Sequence, residues 1–148
     1  MSLVEVIVAL SIITILGVAG GLAVENYVEL RGNLLQESSR LSASEGEMEM
    51  VRFLRDSNWE TIAAAENDVP YHITVSTSTI ALDAGAHIDG TSYTSVVFSS
   101  VYRDNQENIV SATTPSAVLD SQSRAVLVTV ADSVGTSSLR SMLVDLFQ

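Results

Sequence analysis

The chain has 148 residues, seven basic and eighteen acidic, with a formal charge of −11. That length bounds it to one domain plus an extended element. The acidic balance argues against a nucleic-acid backbone as partner and against docking on an anionic membrane surface, since both need clustered Lys and Arg. With no cysteine, the fold has no disulfide to staple it.

Residues 1–24 read as an apolar helix, and Glu5 is their one charge. About 20 apolar residues, rising ~1.5 Å each, span the hydrocarbon core. A charge inside such a stretch is expensive and is usually functional. Glu5 lies one helical turn from the amino terminus, so the chain's own positive end, or that of a neighbouring chain, is within its reach. A secretory signal needs a positive n-region and a shorter apolar run. No Lys or Arg precedes Arg31, and an ordinary anchor has no use for Glu5. Gly17, Gly20 and Gly21 also fall in this stretch. Glycine costs about 1 kcal/mol relative to Ala in a helix interior. Three in five positions mark a place where the helix can loosen or where neighbours can approach closely.

Residues 25–58 continue as an amphipathic helix. Tyr27, Leu34, Leu41 and Met48 recur every seventh residue, and Val24, Val28, Leu35, Val51 and Leu54 widen the stripe. The stripe is expected to pack on the protein's own sheet. Gly32, Ser38, Ser42 and Glu45 weaken any coiled-coil seam. A helix over residues 1–55 would be ~80 Å long, too long for a compact domain of this size. Its amino half is therefore expected to project.

Residues 59–148 read as a β-rich head. Trp59 to Ala65 predicts a short helical turn, with Asn67-Asp68-Val69-Pro70 as a loop. The period then changes to two. Tyr71 to Val75 is a strand, with Ser76 to Leu82 as a looser continuation. Asp83-Ala84-Gly85 and Asp89-Gly90 are turn signals. Thr91 to Arg103 reads as a long strand, Arg103 to Asn108 as a polar loop and Ile109 to Ala112 as a short strand. Thr113 to Ser123 reads as a connection. Arg124 to Val130 is a strand, Asp132 to Thr136 turns, and Ser138 to Phe147 runs back to pair with it. The fold class is α+β, with the amphipathic half of the helix on an antiparallel sheet.

No catalytic constellation assembles from these residues. There is no Cys nucleophile, no Gly-rich phosphate loop, no His-Glu-x-x-His spacing and no serine in a nucleophile-elbow context. The chain is expected not to be an enzyme and to need no cofactor. His72 and His87 are isolated in sequence and read as surface residues. Calcium wants six to eight oxygen ligands, which makes Asp104 and Glu107, in the acidic loop, the candidates for it. Without an Asp-x-Asp-x-Asp-Gly pattern, a solvated acidic loop is the reading preferred.

Met1-Ser2-Leu3-Val4-Glu5, followed by Val6-Ile7-Val8-Ala9-Leu10, resembles the processed amino terminus of type IV pilins and of type II secretion pseudopilins. In that family a hydrophobic residue, a small polar residue, Leu-Ile or Leu-Val, and Glu at the fifth place precede an apolar helix. Met1 stands where the family usually has Phe, and the Pro often found near the end of the apolar stretch is missing. The resemblance implies a pilin-like fold and a structural subunit that polymerises into an extracellular type IV pilus as a helical homo-oligomer. It implies an inner-membrane subunit before assembly, cleavage by a prepilin peptidase, methylation of the Met1 amine and handling by pilus assembly machinery. The chain would then be the processed form. A buried charge pair is tolerable only when both partners are present, so Glu5 pairing with a neighbour's Met1 amine would set the axial register. Such filaments serve adhesion, motility, DNA uptake or secretion, and nothing in the chain selects among these. A minor pilin or secretion pseudopilin, and a membrane-anchored β-domain binding module, stay open as alternatives.

Overall fold

The computed structural model describes residues 2–76 and 79–145. Helix α1 spans Leu3–Ser57 and helix α2 spans Trp59–Ala63. The chain divides into two compact units, residues 1–38 and 39–148, and α1 contributes to both.

In the first unit the large hydrophobic side chains from Leu3 to Leu35 are exposed. By length and composition α1 can cross a membrane, and none of its most apolar stretch is buried within the chain. The hydroxyls of Ser11 and Thr14 donate to the carbonyls of Ile7 and Leu10, each at 2.8 Å. Both are thus satisfied inside the helix and make no demand on apolar surroundings.

The second unit is built on a sheet of strands β1 (Pro70–Val75), β2 (Ile80–Ala84), β3 (His87–Asp89), β4 (Ser92–Arg103), β5 (Ile109–Val110), β6 (Val118–Ala131) and β7 (Thr136–Val144). The order is β2-β1-β4-β6-β7, with β3 and β5 also pairing with β4. Every pairing among the described residues is antiparallel. Val96 opposes Val128, Phe98 opposes Val126, and Val128 opposes Leu139. Directly opposed residues share a face, so these make one apolar face. Met48, Val51 and Leu54 of α1 cover it, joined by Ile62 of α2 and Leu143 of β7. Ser44, Met48, Val51 and Leu54 fall on one side of a helix of period 3.6 and are the buried residues of α1. Glu45, Glu49 and Arg52 stay exposed.

The expected seven-residue stripe is corrected by this packing. Met48 is buried, but Leu41 is 42 % exposed, and Tyr27 and Leu34 are exposed as well. Arg40 marks the physical limit. It meets Asp132 in the β6–β7 turn, where those strands end, so Leu41 sits at the rim of the sheet.

The strand boundaries also differ in places. Ser76 to Leu82 is not one run: the Ser76 amide donates to the Thr79 carbonyl at 2.9 Å and turns the chain into β2. Residues 77–78 lie outside the described residues. Asp83 and Ala84 remain in β2, and the turns fall to Gly85 (φ +100) and Gly90 (φ +60), a region open to glycine for want of a Cβ. The connection over Thr113 to Ser123 is shorter than expected. Val118, Leu119 and Asp120 already pair with Arg103, Tyr102 and Val101 before the register shifts between Ser100 and Val101. β7 ends at Val144; of the expected last strand, residues 146–147 lie outside the described residues.

Candidate assembly site and the polar clusters of the head

The geometry at Glu5 follows from Ser2-Leu3-Val4-Glu5, a Ser-x-x-Glu capping box. Glu5 Oε2 accepts from the Ser2 amide at 2.8 Å, and Ser2 Oγ accepts from the Val4 amide at 3.4 Å. The carboxylate folds back over the first turn, at the positive end of the helix dipole. Ser2 is a contributor that the apolar pattern does not point to; the Ser-x-x-Glu spacing does. Met1 lies outside the described residues.

Gly17, Gly20 and Gly21 sit in unbroken helix, and a Cβ at each would meet nothing within 4 Å. The chain's own packing therefore gives no reason for glycine there. The helix of the single chain shows no loosening at these positions.

In the acidic loop, the Asp104 carboxylate serves the loop itself. Asn108 Nδ2 donates to both of its oxygens, and Oδ1 also accepts from the amides of Asn108 at 2.9 Å and Gln106 at 2.8 Å. These bonds, those from Asn108 foremost, hold the Asp104 carboxyl below its ordinary range. Glu107 takes φ +63, and its carbonyl accepts from Arg103 Nη1 at 3.0 Å. Among the described residues, no group of three or more His, Asp or Glu side chains is placed to hold a metal ion.

Three further clusters tie the head together. Arg40 of α1 pairs with Asp132 at 3.0 Å, and its guanidinium lies against Gly135, where a Cβ would come within 3.2 Å of Nη2. Buried Arg124 donates from Nη1 to Asn67 Oδ1 at 2.8 Å and to Ser100 Oγ at 3.2 Å, and from Nη2 to the Ala65 carbonyl. It thereby holds the segment after α2 against the sheet. His72 and His87 form the third cluster: remote in sequence, their ring centroids lie 5.7 Å apart. β1 pairs with β4 only through Pro70 and Tyr71, and β3 takes its place from Thr94 onward. The histidines flank that split. Burial raises the Glu47 carboxyl of α1 above its ordinary value, and the imidazoles of His87 and His72 pull it down.

Comparison with family models, with curated proteins and with solved structures finds no match.

Proposed function

We propose that the protein is a structural, non-catalytic subunit of pilin type. It polymerises through its apolar helix into an extracellular filament resembling a type IV pilus, and it resides in the inner membrane before assembly. The observation that carries this reading is the first unit: a helix long and apolar enough to span a membrane, charged at one position of its first 24 residues, with its hydrophobic side chains uncovered.

Glu5 is the registry device in this reading. A carboxylate held in apolar surroundings without a cation costs several kcal/mol, in order of magnitude. The Met1 amine of a neighbouring subunit supplies the cation at the same depth, because Arg31 is the first basic side chain. A subunit at the wrong height leaves both charges unpaired. A head-to-tail contact of this kind repeats without closing and so builds an open helical filament.

Shearing cells and assaying the filament fraction tests the proposal. A major pilin dominates that fraction. A minor pilin or secretion pseudopilin is scarce in it. A chain that stays wholly with the membrane is an anchored β-domain binding module, and the filament reading then fails.

A further inference from the structure

We propose that the two edges of the sheet pair between copies of this chain, β7 of one copy adding in parallel to β2 of the next. The inference rests on the filament reading, because such a contact runs head to tail and repeats without closing. β2 and β7 are the outermost strands in the order β2-β1-β4-β6-β7, and among the described residues neither pairs with a strand on its outer side.

Natural sheets blunt an open edge with a proline, a bulge or a very short strand. β7 has none of these: it runs nine residues, Thr136–Val144, in unbroken register with β6. β2 holds an equally unbroken register with β1 from Ile80 to Ala84. Each edge offers its outward amides and carbonyls to another strand.

The faces match as well. Side chains alternate across a strand. Leu139 of β7 packs against the core, as do Ile80 and Leu82 of β2. Ser138 and Arg140, like Ala81 and Asp83, therefore lie on the opposite face. Every step along the sheet from β2 to β7 is antiparallel, and the four steps leave these two strands running the same way. With the core face kept on one side, the next copy sets its β2 parallel to β7. The register that places Asp83 beside Arg140 also places Leu82 beside Leu139 and Ala81 beside Ser138.

Charge selects that register. Arg103 pairs with Asp120, and Arg124 is held by Asn67 and Ser100. Arg140 is exposed and has no partner among the described residues. The Asp83 side chain is 52 % exposed, and its bond from Thr74 goes to Oδ2, which leaves Oδ1 open. Opposite charges on neighbouring strands attract and like charges repel. Two β7 edges, antiparallel and fully overlapped, set Arg140, the middle residue of β7, against its own copy.

The test uses the full chain carrying Ala81→Cys and Ser138→Cys, the only thiols in an otherwise cysteine-free sequence. Neighbouring strands lie about 4.8 Å apart, within reach of a disulfide. Oxidised, sheared filaments of the double variant are expected to run as a ladder of dimers, trimers and longer multimers without reductant, and neither single variant is expected to cross-link. Filaments that give no ladder overturn the edge pairing and leave the filament reading standing. Dimers from Ser138→Cys alone show two β7 edges meeting and overturn it too. Absence of filaments from the wild-type chain defeats the filament reading and this inference with it. A charge exchange decides the matter even if the cysteines impair assembly. Arg140→Asp is expected to lower incorporation into filaments severalfold, and the addition of Asp83→Arg to restore it. Undiminished incorporation of Arg140→Asp, or a loss that Asp83→Arg does not restore, overturns the pairing.

Discussion

Nη1 of Arg40 lies 3.0 Å and 3.1 Å from the two carboxylate oxygens of Asp132. The same carboxylate accepts from the amides of Val134 at 2.8 Å and Gly135 at 3.0 Å. One side chain thus shapes the β6–β7 turn and fastens it to α1. The Val134 amide bond, followed by those from Gly135 and Arg40, holds the Asp132 carboxyl below its ordinary value. A depressed carboxyl stabilises the fold above the unfolded pKa of about 4 and loses that contribution as pH falls through the folded value. Asp132→Asn is therefore expected to lower the melting temperature at neutral pH, with the gap to wild type narrowing below about pH 4. Melting curves across that range check it, and a gap that stays constant rules out the charge as its origin.

The burial pattern of α1 separates two leucines. Leu54 is 1 % exposed and lies in the core, while Leu41 is 42 % exposed at the rim. Leu54→Ala is expected to cost about 2–5 kcal/mol, as for a buried leucine. Leu41→Ala is expected to cost about 1 kcal/mol or less. Denaturant unfolding of the two variants side by side decides, and equal losses would place Leu41 in the core after all.

At Glu5, capping and charge are separable. Glu5 Oε2 accepts from the Ser2 amide at 2.8 Å, and a glutamine oxygen can accept that bond too. Glu5→Ala is expected to leave the subunit inserted in the membrane and to keep it out of the sheared filament fraction. Glu5→Asp is expected to retain partial incorporation, and Glu5→Gln to fail like Glu5→Ala. Normal incorporation of Glu5→Gln would show that capping, rather than a charge pair, is what the position supplies.

The glycines pose a sharper question. A Cβ at Gly17, Gly20 or Gly21 meets nothing within 4 Å, so replacing all three by Ala is expected to favour the helix by about 2–3 kcal/mol. In detergent, the helical circular-dichroism signal of the triple variant is expected to be equal or stronger. In cells, under the proposed pilin reading, its incorporation into filaments is expected to fall, as unwinding or close helix approach at these positions would require. Unimpaired incorporation would leave these glycines without a role in assembly.

Periodicity made the broad fold legible. The apolar run, the change of period at Tyr71 and the strand from Arg124 to Val130 each depend on local pattern, and α1, β1 and β6 follow them. What stayed hidden depends on contacts between distant residues. Val118 to Asp120 is a strand because Val101 to Arg103 lies beside it, and its own polar flanks conceal that. Leu41 has the same spacing as Met48, but the sheet ends before reaching it. His72 and His87 are fifteen positions apart in the numbering and meet only because β3 replaces β1 beside β4. At Glu5 the Ser-x-x-Glu signal is local, and it accounts for the bond from the Ser2 amide within the chain.

The order of elements along the chain also bears on how the head is made. Met48, Val51 and Leu54 of α1 share their core with Leu143 of β7, so the buried side of the first element waits for the last strand. Pairings that distant in sequence close slowly, because loop-closure entropy is spent before the contacts form. During synthesis the underside of α1 therefore stays uncovered until almost the whole chain has emerged. A chain truncated before β7 is left with an apolar helix face and an unpaired β6, the kind of surface that chaperones bind and that aggregates when left alone.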